Sequence, residues 1–78
     1  MDKTLNEMKP GDRANILKIS GNGALKKKLP DMGVLPGTNI EIIRMAPLGD
    51  PVEIKIKGYN LTLRKEEAAS IQVREIKS

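Results

Sequence analysis

The sequence predicts a mainly β protein: a small, partly open barrel of about five strands, with one short helix and a helical turn. Three observations predict it. Ile40-Glu41-Ile42 and Val52-Glu53-Ile54-Lys55-Ile56-Lys57 alternate apolar and polar side chains, the period of a strand wet on one face. Breaks such as Pro10-Gly11, Ser20-Gly21-Asn22-Gly23, Pro36-Gly37 and Gly58-Tyr59 divide the chain into short segments. Finally, 78 residues with no cysteine and Tyr59 as the one aromatic can build only a small aliphatic core, so residues 1–78 read as one domain.

Taken in order, Thr4 to Lys9 is a lead-in in which Leu5 and Met8, three apart, cover an edge of the core. Pro10-Gly11 suits the two central positions of a type II turn. Ala14 to Ser20 reads as the first strand, but its alternation is mixed and does not fix which face is inside. Asn22 is placed to cap a helix from Ala24 to Leu29, whose Leu25 and Leu29 share a face with Met32. Pro30 would collide with the Lys26 carbonyl in a continuing helix, so the helix is expected to stop or kink at Leu29. Pro30-Asp31-Met32 then forms a separate turn, closed by Gly33 in a left-handed conformation.

Leu35-Pro36-Gly37-Thr38 repeats the Pro-Gly turn ahead of the second strand, Asn39 to Met45. The third strand is Val52 to Lys57, with Val52, Ile54 and Ile56 on one face. Gly58-Tyr59 reads as a type II′ turn. The fourth strand, Asn60 to Arg64, points Leu61 and Leu63 inward. Lys65 to Ser70 makes about one helical turn, with Ala68 and Ala69 lying close on the sheet. Ile71 to Ile76 is the fifth strand, with Ile71 and Val73 inward, and Ser78 closes the sequence. An SH3-like barrel fits these strands best.

Chemistry is sparse. The chain has neither histidine nor cysteine, and its hydroxyls have no evident base beside them, so an enzyme is not expected. The usual ligands of soft or borderline metals are missing. Asp31, Glu41, Asp50, Glu53, Glu66 and Glu67 are scattered and read as solvated surface charge, with Glu66-Glu67 favouring the start of a helical turn through its dipole. No cofactor is implied. There is no apolar run near the roughly 20 residues of a membrane helix, and Met1-Asp2-Lys3-Thr4 lacks a signal-peptide shape, so a cytoplasmic protein is expected.

The net charge of +4 is local. Residues 1–30 hold seven Lys/Arg against three Asp/Glu, and residues 31–78 hold seven against seven. Lys26-Lys27-Lys28 could meet phosphate, but single-strand readers of the small-barrel type stack bases on aromatics, and one Tyr is too few. No nucleic-acid partner is expected.

The stretch with most functional promise is Ala46-Pro47-Leu48-Gly49-Asp50-Pro51, the expected tip of a long hairpin. Two prolines four positions apart stiffen it, and Leu48 is apolar in a segment that must meet water. A rigid loop loses little entropy on binding.

Leu29-Pro30-Asp31-Met32-Gly33-Val34-Leu35-Pro36-Gly37-Thr38, then Ala46-Pro47-Leu48-Gly49-Asp50-Pro51, then Leu61-Thr62-Leu63-Arg64-Lys65-Glu66-Glu67-Ala68 resemble the FeoA family in order and spacing. The likeness runs from about residue 5 to residue 75. It implies an SH3-like barrel and a non-enzymatic, cytoplasmic accessory role in bacterial ferrous iron uptake. The implied partner is FeoB, a membrane permease with a cytoplasmic G domain, so the chain would be peripheral to the membrane through that partner only. Family-level labels mention transition-metal binding, and similar domains end some metal-dependent repressors. The expected partner surface is Pro47, Leu48, Gly49, Asp50 and Pro51, with Lys26, Lys27, Lys28, Arg44 and Arg64 as steering charges. The alternatives are a nucleic-acid-binding or regulatory SH3-like module, and a monomer or weak homo-oligomer joined through an edge strand.

Overall fold

In the computed structural model, which describes residues 2–76, six strands form an antiparallel sheet in the order β1-β6-β2-β3-β4-β5. The elements are β1 (Asp2–Thr4), a 3-10 turn (Leu5–Glu7), β2 (Arg13–Ile19), α1 (Gly23–Asp31), β3 (Asn39–Met45), β4 (Val52–Ile56), β5 (Tyr59–Leu63), α2 (Lys65–Ala69) and β6 (Ile71–Ile76). Met1 and Ser78, the sequence's first and last residues, lie outside the described residues.

Inner residues of five strands meet in one cluster: Ala14 and Ile16 of β2, Ile40 and Ile42 of β3, Val52, Ile54 and Ile56 of β4, Leu63 of β5, and Ile71 and Val73 of β6. A sheet whose strands all reach one core must curl around it. Leu5, Met8, Leu29, Val34 and Ala68 close that core from the turns and helices. The expected inward positions on β3, β4 and β6 are those observed, as are the buried Leu5 and Met8. Leu61 is only half-buried.

The two Pro-Gly turns do reciprocal work. Gly11 and Gly37 both have φ near +90°, the conformation a type II turn requires. The turn before β2 bonds to β3, with the Gly11 N–H donating to the Ile42 carbonyl (2.7 Å) and the Ile42 N–H to the Asp12 carbonyl (2.8 Å). The turn before β3 bonds to β2, with the Gly37 N–H donating to the Ile16 carbonyl (2.7 Å) and the Ile16 N–H to the Thr38 carbonyl (2.9 Å). Each turn therefore extends the ladder of the other strand.

Two expectations are refined, the strand count and the inward face of β2, and four are corrected: the end of α1, the β4–β5 turn, Ala69 and Glu67. The strands number six rather than about five, because Asp2–Thr4 pairs with Gln72–Arg74. No apolar alternation marks those three residues; the β6 edge makes them a strand. The mixed alternation of β2 is resolved by a bulge between Ile16 and Lys18, before which Ala14 and Ile16 face inward.

The helix does not stop at Leu29 but continues through Pro30 to Asp31. Pro30 falls in its last turn, where the carbonyl deprived of a donor is that of solvent-exposed Lys26. The end is a Schellman motif: the Val34 N–H donates to the Leu29 carbonyl (3.0 Å) and the Gly33 N–H to the Pro30 carbonyl (2.9 Å), with Gly33 at φ +89° as expected.

The β4–β5 turn centres on Lys57-Gly58, not Gly58-Tyr59. Ile56 pairs with Tyr59, and both central residues have positive φ (51° and 84°), which makes the turn type I′. On α2, Ala68 is buried but Ala69 is exposed; the second inward position belongs to Glu67, only 4% exposed and thus not a solvated surface charge.

Candidate protein-interaction surface

β3 and β4 form the long hairpin the alternation predicts, in register from Ile40↔Ile56 to Met45↔Val52 with a bulge between Ile42 and Arg44. The Ala46 N–H donates to the Pro51 carbonyl (3.1 Å), which leaves Pro47-Leu48-Gly49-Asp50 as the loop. Inside it the Gly49 N–H donates to the Ala46 carbonyl (2.7 Å), and Gly49 has φ +81°. This tight turn turns Leu48 outward, at 87% exposure; the other exposed large apolar side chains range from 36% to 43%.

The root of the loop is tied down. Asp50 Oδ1 accepts from the Lys65 backbone N–H at the start of α2 (3.1 Å). Asp50 therefore anchors the loop to the fold. A shallow groove of about 210 Å³ lies at this root, lined by Arg44, Ala46, Pro51, Glu53 and Thr62. A larger groove of about 310 Å³, lined by Arg13, Asn39, Ile40, Glu41, Lys55, Gly58 and Ile76, includes none of the loop residues.

The expected steering charges fall into two kinds. Lys26, Lys27 and Arg64 are exposed, and the Arg44 side chain, 79% exposed, makes only a loose contact with Glu53 (3.9 Å). Lys28 is committed: its Nζ stands 2.6 Å from Glu67 Oε2. Glu67 Oε1 also accepts from the Arg64 backbone N–H (2.8 Å), capping α2. Burial pushes the Glu67 carboxyl up, but the bonds from Lys28 and Arg64 and their positive charges outweigh it and hold the group below its ordinary value. So α2 joins the two regions: its first residue holds the loop through Asp50, and its Glu67 holds α1 through Lys28.

Sequence reasoning missed Glu67. Its signal was Arg64-x-x-Glu67, the spacing of a capping box, obscured because Arg rather than Ser or Thr occupies the cap. The same spacing at Thr4-x-x-Glu7 is a working cap, with the Thr4 N–H donating to Glu7 Oε1 (2.8 Å).

Three of the hydroxyls serve the backbone. Ser70 Oγ donates to the Glu66 carbonyl (2.9 Å), Ser20 Oγ to the Ser70 carbonyl (3.2 Å) and the Tyr59 hydroxyl to the Met32 carbonyl (2.7 Å). Among the described residues, no group of three or more carboxylates comes together to hold a metal ion, and no helix is long and apolar enough to cross a membrane. What the surface offers is a stiff apolar tip on a fixed root, with exposed Arg44 lining the groove at that root and exposed Arg64 next to the Lys65 that Asp50 holds. That arrangement suits docking against another macromolecule.

Comparison with known proteins follows the same line. The FeoA domain family matches residues 3–75. A Porphyromonas gingivalis protein described as an Fe(2+) transport protein A/Fe(2+) transporter FeoB fusion protein is 42% identical over 74 residues, which is 95% of this chain but only 9% of that protein. The NMR structure of a FeoA-like protein from Clostridium acetobutylicum matches with a TM-score of 0.89 at 35% identity, over 99% of this chain and 90% of that one. The crystal structure of Stenotrophomonas maltophilia FeoA complexed with zinc, described as an SH3 domain protein, shares the fold with a TM-score of 0.80 at 22% identity, over 92% and 89% of the two chains.

Proposed function

From the premise that this chain belongs to the FeoA family, non-enzymatic proteins of ferrous iron transport, we propose that it acts by binding the cytoplasmic part of an FeoB-type transporter through the β3–β4 loop. Leu48 is the anchor. The observation that carries the reading is its 87% exposure on a loop braced by two prolines and by Asp50. Fully burying such a side chain stabilises a complex by about 2–3 kcal/mol. Lys26, Lys27, Arg44 and Arg64 steer the encounter, and Lys28 holds α1 to α2. The fusion of a relative to FeoB supports the pairing, since a covalent tether raises the effective concentration of two parts that work together. The chain works in the cytoplasm and reaches the membrane through this partner.

The test is titration with the FeoB cytoplasmic domain, read by chemical-shift mapping and calorimetry. Shifts should centre on residues 46–51, and Leu48→Asp should weaken binding by about 30-fold or more. Shifts confined to the opposite side of the sheet, or full affinity in Leu48→Asp, would end this reading.

A further inference from the structure

The sheet has two open edges, and they are not alike. β1 is three residues long, is ended at Thr4 by the Glu7 cap, and carries Lys3 paired with Glu75 (3.1 Å). Shortness and an edge lysine are common devices that blunt a strand against further pairing. β5, Tyr-Asn-Leu-Thr-Leu, has none of them: no charge, no proline, and an unbroken register with β4 from Tyr59 to Leu63.

The register fixes which backbone groups are free. In a two-residue hairpin the pair flanking the turn, Ile56 and Tyr59, exchanges both hydrogen bonds, so alternate pairs Ile54↔Leu61 and Val52↔Leu63 do the same. The N–H and C=O of Asn60 and Thr62 therefore point away from β4, off the end of the sheet. Leu61, on the core side with Ile54, is half-covered and would be completed by an apolar side chain on an added strand. The start of the edge is tied to the fold, because the Tyr59 hydroxyl donates to the Met32 carbonyl at the end of α1 (2.7 Å).

We propose that the β5 edge takes an extended, acidic segment of a partner protein as a seventh strand, paired through the backbone of Asn60 and Thr62. Charge decides the chemistry. Lys55 sits beside Asn60 in the register, Lys57 precedes the strand, and Arg64 and Lys65 follow it; all four are exposed. Of the nearby carboxylates, Glu53 already accepts from Asn60 Nδ2 (3.0 Å) and Asp50 from the Lys65 backbone N–H (3.1 Å). A second copy of this chain is the wrong occupant. Antiparallel pairing about Leu61 sets Asn60 against Thr62, but it also brings the Lys57 turn of one copy toward Lys65 at the start of α2 in the other, and like charge repels at both ends of the pair. An acidic strand alternating apolar residues toward Leu61 meets no such clash, and strand addition to an exposed edge is a recurring recognition mode.

This edge is separate from the loop and does not depend on the identity of the loop's partner. The probe is a blocked nine-residue peptide alternating Val with Glu and Thr, compared with its Lys counterpart. Amide exchange and chemical shifts are followed on the full chain. At millimolar peptide, the Asn60 and Thr62 amides should slow at least about tenfold with the acidic peptide and at least about tenfold less with the Lys peptide. Thr62→Pro, which removes one outward N–H at a position where an edge strand accepts proline, should abolish the effect. The wild-type exchange data stand even if that variant fails to fold. No protection with the acidic peptide, equal protection with the Lys peptide, or protection that appears in the chain alone as its concentration rises would each overturn the proposal. The last result would name a second copy as the occupant.

Discussion

β4 is joined to its neighbours by two connections of opposite character. At one end Lys57-Gly58 turns the chain in two residues, with both φ angles positive. At the other, Pro47-Leu48-Gly49-Asp50 takes four residues, two of the six from Ala46 to Pro51 being prolines, and needs Asp50 to hang it on α2. Both close an antiparallel pair. Only the long one exposes an apolar side chain almost fully. The short turn shows how little chain the geometry demands, so closing the strand pair does not account for the length of the other; the proposed docking of Leu48 would.

That contrast can be broken directly. Replacing Pro47–Asp50 with Asn-Gly and Pro51 with Thr, whose N–H can close a type I′ turn on the Ala46 carbonyl, should leave thermal stability within about 1 kcal/mol of the parent. It should weaken FeoB-domain binding about 100-fold, the full value of the Leu48 contact. Intact binding would mean the loop is only a connector.

A smaller effect separates the root from the tip. Glu67→Gln removes the charge that holds Lys28 and weakens the cap of α2, costing about 2 kcal/mol. Because the folded state lowers the Glu67 pKa, the stabilisation is fully present above the ordinary Glu value of 4.5 and is lost as pH falls through the lower folded value. The stability gap between parent and variant, measured by denaturant titration, should therefore be constant near neutrality and close in acid. Amide exchange should quicken at Lys65 and around Asp50 but not at Lys57-Gly58. A gap independent of pH would remove Glu67 from this role.

The smallest effect sharpens the other side. Gly58→Ala puts a Cβ on a residue with φ +84°, in open space, so the cost is conformational alone. It should amount to about 1 kcal/mol with binding unchanged. A change in affinity for the FeoB domain would show that the short turn is not the passive member of the pair.

These same elements show what the sequence made legible. Ile40, Ile42, Val52, Ile54 and Ile56 declared two strands and their inner face by period alone, and all five are buried. The tip was legible because prolines bounded it. Three things were not. β1 is invisible because its strand character comes from pairing with β6, some 70 residues away. The exact turn at Gly58 depended on whether Lys57 could take a positive φ, which the Ile56↔Tyr59 register settles and composition does not. The pairing of Lys28 with Glu67 joins two helices distant in sequence, so a run of three lysines looked uniform when one of them was already engaged. Pro30 misled for a related reason: proline is costly where it deprives a buried carbonyl, and here the carbonyl belongs to an exposed residue.

The reciprocal Pro-Gly turns carry one more consequence. β2 and β3 are stapled to each other at both ends of their contact, so their alignment is set without help from the excursion between Ser20 and Leu35 that contains α1. That excursion closes the core with Leu29 and Val34, but it does not set the frame's register. Changes confined to its exposed face, such as the charges of Lys26 and Lys27, therefore leave the alignment of β2 with β3 in step.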